Sequence, residues 1–432
     1  MTDSKSAAGD CFTKFIATKC IKQIGILGKE TRPPPSTTGG PPTGTRRYLL
    51  GLSLGVSSTV LLHLLNENVE FQLAKGRNAP FDLTVVHVDT SPQPPSSSTT
   101  SHTQTAAETA LAAYRARYPR FAFHCIPLSS SSSSTSTSTS TTTTSSTTTA
   151  AALLQGATTS AASRSDILRT LTRRALISAA RAHTCQALLL GHSTTALAEL
   201  TLAEAAKGRG FALPWLVHDG PAPAPAPAVG GGVGVGAGVG DGDVDRSSLG
   251  LRGNGDGEGE VGAGTGSLED AGAGASANGG GEGSDVDDLT VLVYHPLRDA
   301  LRKELVTYAS LVSPPLTDLI PPDHPHKTKN GDAPPAAAVV SHKDLSIEEV
   351  MTRYFAEVEA SYPSVVANVA RTTGKLVRAG GTEGCALCGM PLDEDGDERW
   401  RGELGIQKET ATSGVGGTGG RLCYGCERST GA

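Results

Sequence analysis

Short apolar segments alternate with helical patterns along this chain, and that alternation restricts the fold more than any other feature. Five runs of apolar residues are typical of strands: Tyr48 to Leu52, Leu83 to Asp89, Phe121 to Leu128, Ala187 to Leu190 and Leu289 to Tyr294. A segment with helical spacing of apolar residues follows each run, at Val60 to Leu65, Ala106 to Tyr118, from Ser165, Thr195 to Ala206 and Ala300 to Leu311. Strands that are apolar throughout are buried on both faces, so the pattern predicts a doubly wound parallel α/β sheet.

Composition divides the 432 residues into folded and low-complexity parts. A Ser/Thr/Ala insertion at 129–163 and an acidic Gly/Ala insertion at 219–287 have too few apolar residues to offset the entropy of ordering, and we expect both to be disordered. The remainder divides into an N-terminal helical segment (1–30), the α/β domain (46–217 and 288–320) and a C-terminal module of helices and cysteines (341–432).

The charge is distributed unevenly. Residues 219–288 hold 13 acidic and 2 basic residues, whereas the rest of the chain holds 30 acidic and 35 basic ones. The part expected to fold is therefore mildly basic, which permits an RNA partner. No run of 18 apolar residues is present, so we expect no membrane partner. The polar N-terminus and eight cysteines without a secretion signal favour a cytoplasmic location with reduced or metal-bound thiols.

A turn rich in small residues follows the first strand, with the sequence Ser53-Leu54-Gly55-Val56-Ser57-Ser58. Such a turn at a helix start directs backbone N–H groups towards an anion, although an ordinary strand–helix turn would have the same composition. The segment resembles the PP-loop signature SGGxDS of ATP pyrophosphatases. Ser53, Gly55 and Ser58 match it, whereas Leu54 replaces a glycine and Ser57 replaces the aspartate. Both departures argue against normal ATP turnover.

A second loop, GHSTTALAEL, follows the fourth strand. It resembles the GHNxDDxAET segment of PP-loop enzymes that modify tRNA, and Gly191, His192, Ala198 and Glu199 match. Thr195 and Ala196 stand where that segment has two aspartates. Considered alone, His192 also fits a structural loop histidine. Cys185 has no second cysteine nearby, so we interpret it as a small buried residue rather than a nucleophile.

Two Cys-x-x-Cys pairs lie near the C-terminus, Cys385 with Cys388 and Cys423 with Cys426. Four thiolates at tetrahedral reach suit a structural zinc ion. The 34 residues between the pairs include a flexible glycine-rich stretch that can loop out. Two unrelated pairs and a redox dithiol are the alternatives.

Basic residues follow the fifth strand and lie on the third helix. Arg298 and Lys303 are candidates for contact with phosphate, of ATP or of tRNA, and the alternative is a solvated helix face. Arg169, Arg173 and Arg174 form a second basic face with the same two interpretations.

Together these motifs resemble the cytoplasmic tRNA 2-thiolation protein 2 family. The resemblance extends to ILRTLTRRALISAARAH, YHPLRDALRKELVTYA and the C-terminal CALC and LCYGC. It implies a PP-loop fold related to adenine nucleotide α-hydrolases. It also implies a non-catalytic subunit that forms a heterodimer with a catalytic PP-loop thiolation subunit, binds tRNA, and supports 2-thiolation of the wobble uridine (U34) with sulfur from a thiocarboxylated ubiquitin-related modifier.

The chain departs from the family at its N-terminus, where Cys11 stands without the usual paired Cys-x-x-Cys motifs, so we assign no metal there. Ser53, Gly55, Ser57, Ser58, Gly191 and His192 then form a degenerate nucleotide site without a catalytic residue, and ATP binding is left open. Two alternatives remain: an active ATP-dependent enzyme that adenylates and thiolates tRNA uridine, and a zinc-bearing interaction scaffold unrelated to tRNA.

Overall fold

The computed structural model describes residues 2–32, 45–91, 105–128, 160–223, 291–321, 345–378, 384–392 and 422–431, with side chains from residue 9. Most of both predicted insertions lies outside these ranges. In chain order the elements are α1 (Thr2–Glu30), β1 (Arg47–Gly51), α2 (Val56–Ala74), β2 (Asp82–Asp89), α3 (Ala106–Arg117), β3 (Ala122–Pro127), α4 (Ala161–Ala182), β4 (Ala187–Leu190), α5 (Thr194–Ala206), α6 (Leu213–Val217), β5 (Gly220–Pro221), β6 (Leu292–Tyr294), α7 (Arg302–Leu311), α8 (Ile347–Ser361), α9 (Pro363–Thr373) and α10 (Tyr424–Thr430).

The strands form one sheet with the order β3-β2-β1-β4-β6-β5. Every neighbouring pair is parallel except β5 and β6. The chain first moves outward from β1 through β2 to β3 and then returns to β4 on the other side of β1. Helices cover both faces, so the predicted doubly wound parallel sheet is confirmed. The carboxyl ends of β1 and β4 lie at the switch point, where sheets of this kind bind ligands.

Alternate residues of each central strand point into two different cores. Leu50 packs with α1, α2 and α7 on one face of the sheet, whereas Leu49 packs with α4 on the other. Both side chains are completely buried. This two-sided burial explains why the strands are apolar at consecutive positions.

Local sequence signals define several helix ends. The Ser160 hydroxyl accepts the Ser163 N–H at 3.1 Å and caps α4. Ser346 and Glu349 form a reciprocal capping box at the start of α8. Pro363 cannot continue the helix that precedes it, but it suits the first turn of a new one. Helices α8 and α9 therefore meet at Tyr362 as two separate helices.

The structure corrects the borders of both predicted insertions. Residues 160–163, placed in the first insertion, form the cap and first turn of α4. Residues 219–221, placed in the second, are ordered, because Gly220 and Pro221 pair antiparallel with β6. Within the described ranges, no helix is both long and apolar enough to cross a membrane.

Candidate functional site

The loop after β1 is closed by hydrogen bonds among its own residues. The Ser53 hydroxyl lies 3.0 Å from the Ser58 hydroxyl, which also accepts the Ser53 N–H at 3.2 Å. Ser58 donates to the Gly55 carbonyl at 3.1 Å, and Gly55 acts as N-cap of α2. The structure thus brings Ser53, Gly55 and Ser58 together in one turn, and Ser57 lies in the first turn of α2.

Leu54 has the backbone conformation of a glycine. Its φ angle is +63°, in the left-handed region that costs a side-chain-bearing residue about 1–2 kcal/mol. Its side chain is 7% exposed and packs in the core beneath α2. The loop thus keeps a backbone conformation suited to glycine, while the leucine side chain anchors it in the core.

Gly191 permits the close approach of the second loop to the first. A Cβ atom at Gly191 would lie 2.8 Å from the backbone N and Cα of Ser58 and 3.1 Å from the carbonyl carbon of Ser57. No side chain fits in that space. The loops after β1 and β4 are therefore in direct contact at the switch point of the sheet.

Two histidine rings lie beside this contact. The centroids of His192 and His295 are 5.2 Å apart, and Nδ1 of His192 and Nε2 of His295 are buried without a hydrogen-bond partner in the described part of the chain. Burial lowers the pKa of His192 well below its ordinary value, and the neighbouring His295 and Arg173 lower it further. Burial also lowers the pKa of His295. Burial thus disfavours the protonated form of both rings.

Asp219 orients the second histidine. Its carboxylate accepts the backbone N–H of His295 at 2.8 Å and lies 3.0 Å from the ring Nδ1. It also accepts from Arg298 at 2.7 Å. Burial alone would raise the pKa of Asp219, but the hydrogen bond from His295 and the charge of Arg298 outweigh it and hold the pKa below its usual value. Asp219 lies within the predicted acidic insertion (219–287), although the largely apolar segment FALPWLVHD that ends there indicates ordered structure.

Thr195 stands where the related PP-loop segment has the first of its two aspartates, and here it connects neighbouring helices. The Thr195 hydroxyl donates to Glu359 of α8 at 3.0 Å and accepts the Arg302 N–H of α7 at 3.0 Å. Glu199 binds the Arg302 guanidinium with both oxygens, at 2.6 and 2.7 Å. These side chains connect α5 with α7 and α8.

The basic residues proposed for phosphate contact have protein partners. Arg298 is bound by Asp219, and the Lys303 ammonium donates to the Glu359 carbonyl at 2.9 Å. In the second basic face, Arg173 donates to the Trp215 carbonyl, whereas Arg174 donates to two carbonyl groups of the cysteine module, at 2.6 and 2.8 Å. Cys185 is buried, and burial raises the pKa of its thiol to about 11, as expected for an unreactive residue.

The four C-terminal cysteines converge on one point. Their Sγ atoms all lie within 4.8 Å of one another, and those of Cys388 and Cys423 are 3.8 Å apart. Gly389 has φ +71°, which lets the chain turn after the first pair, and the Cys423 N–H points at the Cys385 sulfur at 3.3 Å. Hydrogen bonds from the other three thiols hold the pKa of Cys385 well below its usual range. These four closely spaced thiol groups could bind a metal ion.

A buried ion network supports the cysteine centre. Arg209 is 4% exposed; it binds both oxygens of Asp166 at 2.8 and 2.5 Å, and its guanidinium lies 3.7 Å from the Cys426 sulfur. Lys207 bridges Asp166 and Glu348, at 2.6 and 2.7 Å. A Cβ atom at Gly425 would lie 2.5 Å from the Arg209 side chain, so glycine is required there for close approach. No sequence motif indicates this network, because Asp166, Glu348 and Cys426 lie far apart along the chain.

These features define an α/β protein with a doubly wound, mostly parallel sheet, two loops in contact at its switch point and a four-cysteine centre. The family model for cytoplasmic tRNA 2-thiolation protein 2 matches residues 346–428. The protein of that name from Phaeosphaeria nodorum is 30% identical over 438 residues, covering 99% of this chain and 90% of the relative. The one from Sclerotinia sclerotiorum is 30% identical over 376 residues, covering 85% and 76%.

The chain belongs to the cytoplasmic tRNA 2-thiolation protein 2 family, as its motifs indicated, and it has a role in tRNA 2-thiolation. Among solved structures, a U34-tRNA thiolase, NcsA from Methanococcus maripaludis with its [4Fe-4S] cluster, resembles the chain with a TM-score of 0.44 and 14% identity, over 93% of this chain and 90% of that one.

Proposed function

We propose that this protein is a non-catalytic subunit required for 2-thiolation of the wobble uridine of cytoplasmic tRNAs. It forms a heterodimer with a catalytic PP-loop subunit, which receives sulfur from a thiocarboxylated ubiquitin-related modifier. The observation that carries the proposal is the state of the loop after β1. The Ser53 and Ser58 hydroxyl groups form a hydrogen bond with each other. Leu54 has the positive φ angle that favours glycine, and its side chain lies in the core.

The altered acidic positions support the same proposal. A PP-loop enzyme needs carboxylates to organise magnesium and phosphate, and Ser57, Thr195 and Ala196 supply none. Thr195 instead connects α5 with α7 and α8. Arg298 and Lys303 remain candidates for contact with tRNA phosphate, but binding would require them to exchange Asp219 and the Glu359 carbonyl for the ligand.

We propose zinc as the ion of the cysteine centre. Zn–S bonds of about 2.3 Å in a tetrahedral site place the sulfur atoms roughly 3.8 Å apart, which agrees with the 3.8 Å between Cys388 and Cys423. A [4Fe–4S] cluster binds each of its cysteines to a different iron atom and would hold the four sulfur atoms further apart than the 4.8 Å within which they lie. Four protein ligands leave no open position on the ion, so its role is structural, holding the segment after residue 384 and α10 together.

The proposal is tested by tRNA-dependent release of pyrophosphate from ATP, measured with this chain alone, the catalytic subunit alone, and the pair. We expect release by the pair and none by this chain alone. Pairing with the Ser53→Ala/Ser58→Ala variant should release pyrophosphate at the same rate, with thermal unfolding to verify that the variant is folded. Pyrophosphate release by this chain alone that is abolished in the double variant would support the active-enzyme alternative instead.

A further inference from the structure

Three donors converge on a single carboxylate at the carboxyl end of β6. Oδ1 of Asp219 accepts the backbone N–H of His295 at 2.8 Å and lies 3.0 Å from the ring Nδ1, which carries the proton because it faces a carboxylate. Oδ2 accepts from the Arg298 guanidinium at 2.7 Å. A backbone N–H, a ring N–H and a guanidinium directed at one group form a donor set typical of an oxoanion site.

The group that fills this donor set belongs to a distant part of the chain. Asp219 lies 76 residues before His295, in a short segment, 218–221, whose only regular structure is the two-residue strand β5. Arg378 holds this segment by donating to its carbonyl groups at 3.2–3.3 Å, namely those of His218, Asp219 and Pro221. Gly220 has φ +135°, and a Cβ atom there would lie 2.7 Å from the Arg378 guanidinium. The carboxylate is thus carried by a segment that one side chain and a two-residue strand keep in place.

Positive charge exceeds negative charge around this carboxylate. Arg173 and Arg378 form no ion pair within the described ranges, and Nε of Arg173 is buried without a hydrogen-bond partner there. Burial lowers the pKa of His295, the hydrogen bond to Asp219 opposes this effect, and the charges of Arg173 and Arg298 lower the pKa further. A phosphate group has more acceptor oxygens than a carboxylate and can satisfy the same donors.

The donors are within reach of a ligand. The His295 ring is completely buried, whereas the side chains of Asp219 and Arg298 are 15% and 25% exposed. A ligand that approaches from solvent therefore meets the carboxylate and the guanidinium first. The occupant seen in the structure also identifies the class of ligand, because the donors already bind an oxoanion, the carboxylate of Asp219.

We propose that the turn from His295 to Arg298 binds an oxoanion of the phosphate class, and that Asp219 closes this site by occupying it when the ligand is absent. On binding, the 218–221 segment withdraws its carboxylate and the ligand takes over the three donors. The site uses no residue of the loop after β1. A free phosphate ion and a phosphate of tRNA share this chemistry, and only the second source rests on the proposed function.

The first arm of the test is thermal unfolding of the full chain in inorganic phosphate, compared with chloride at the same ionic strength. Asp219→Ala empties the donor set, so phosphate at ten times its dissociation constant should raise the melting temperature of this variant by roughly 3–6 °C. The wild type should respond no more than it does to chloride, because Asp219 fills the site. Asp299→Ala is the matched control and should behave like the wild type, because it removes an exposed carboxylate that neighbours Arg298 in the chain but binds Gln23.

Two further variants keep the first arm decisive. Asp219→Asn retains an acceptor oxygen for the fold but loses the charge, so phosphate should stabilise it more than the wild type even if Asp219→Ala does not fold. Asp219→Ala/Arg298→Gln should lose the phosphate response. The site is overturned if neither single Asp219 variant responds, if Asp299→Ala responds equally, or if the response survives the loss of Arg298. None of these results involves thiolation, so the proposed function would stand.

The second arm identifies the source of the phosphate. It measures the affinity of the full chain, paired with its catalytic subunit, for a tRNA transcript with a wobble uridine, by fluorescence anisotropy. If a tRNA phosphate is the ligand, Asp219→Ala should bind tRNA about tenfold more tightly than Asp299→Ala, which changes the net charge equally. Equal affinities together with a phosphate response in the first arm assign the site to a free phosphate ion. Absence of tRNA binding by the wild-type pair would count against the proposed function and not against the site.

Discussion

Because Leu54 has a left-handed backbone conformation, we expect glycine to be less destabilising than alanine at this position. At most buried positions the order is the reverse. Truncation to alanine removes a buried side chain, and Leu54→Ala should reduce the free energy of unfolding by about 2–3 kcal/mol. Leu54→Gly removes nearly the same side chain but relieves a backbone conformation that costs about 1–2 kcal/mol. Glycine flexibility in the unfolded chain offsets about 0.5–1 kcal/mol of that gain. Leu54→Gly should therefore be more stable than Leu54→Ala by about 0.5–1 kcal/mol.

Leu52 provides the matched control. It is 2% exposed, two residues earlier, and is not among the residues with positive φ. There the ordinary order applies, and Leu52→Gly should be less stable than Leu52→Ala by about 0.5–1 kcal/mol. The assay is equilibrium unfolding in urea for the four variants, in the presence of zinc. If glycine is the less stable substitution at both positions, the conformation assigned to the loop is wrong.

Three further predictions concern the contact between the loops, the ion network and a buried histidine. Gly191→Ala should lower the free energy of unfolding by about 1–3 kcal/mol in urea, because its Cβ would overlap the Ser58 backbone; unchanged stability would contradict the close approach. Arg209→Met leaves Asp166 buried with fewer partners and should cost about 3–5 kcal/mol in urea unfolding; it should also speed zinc release to a chelator, whereas an exposed control, Arg169→Met, should change neither. Burial lowers the pKa of His63 from 6.5 to about 4. Between pH 4 and pH 6.5 the unfolded state therefore binds more protons than the folded state. Stability should fall by up to ~3 kcal/mol as the pH drops from 6.5 to 4, and His63→Phe should lose that part of the pH dependence.

The sheet could be predicted from sequence because each strand is apolar at consecutive positions, a pattern that fits burial on both faces. Leu49 and Leu50 face opposite cores, as that reasoning requires. The antiparallel pairing of Gly220 and Pro221 could not be predicted, because a two-residue strand carries no periodicity and is followed by low-complexity sequence. The break at Tyr362 is the kind of feature that sequence does indicate, because Pro363 suits the first turn of a helix but not its interior.

The site was predictable only in part. Local motifs indicated Ser53, Ser58 and Gly191, and the spacing of the cysteine pairs indicated the four-thiol centre. Asp219 contacts the ring of His295, which lies 76 residues later in the chain. A single sequence contains no signal for that contact. The left-handed conformation of Leu54 was also hidden, because leucine is a residue that seldom adopts it.

The central claim is that thiolation requires this protein but not catalysis by its loop. The most direct measurement is the thiouridine content of wobble-uridine tRNAs, by mercury-gel retardation, in cells depleted of the protein and then complemented. The account predicts that the retarded band disappears on depletion and returns equally with the wild type and with Ser53→Ala/Ser58→Ala. A band that returns only with the wild type, at equal protein levels, would show that the loop is catalytic and would contradict the account.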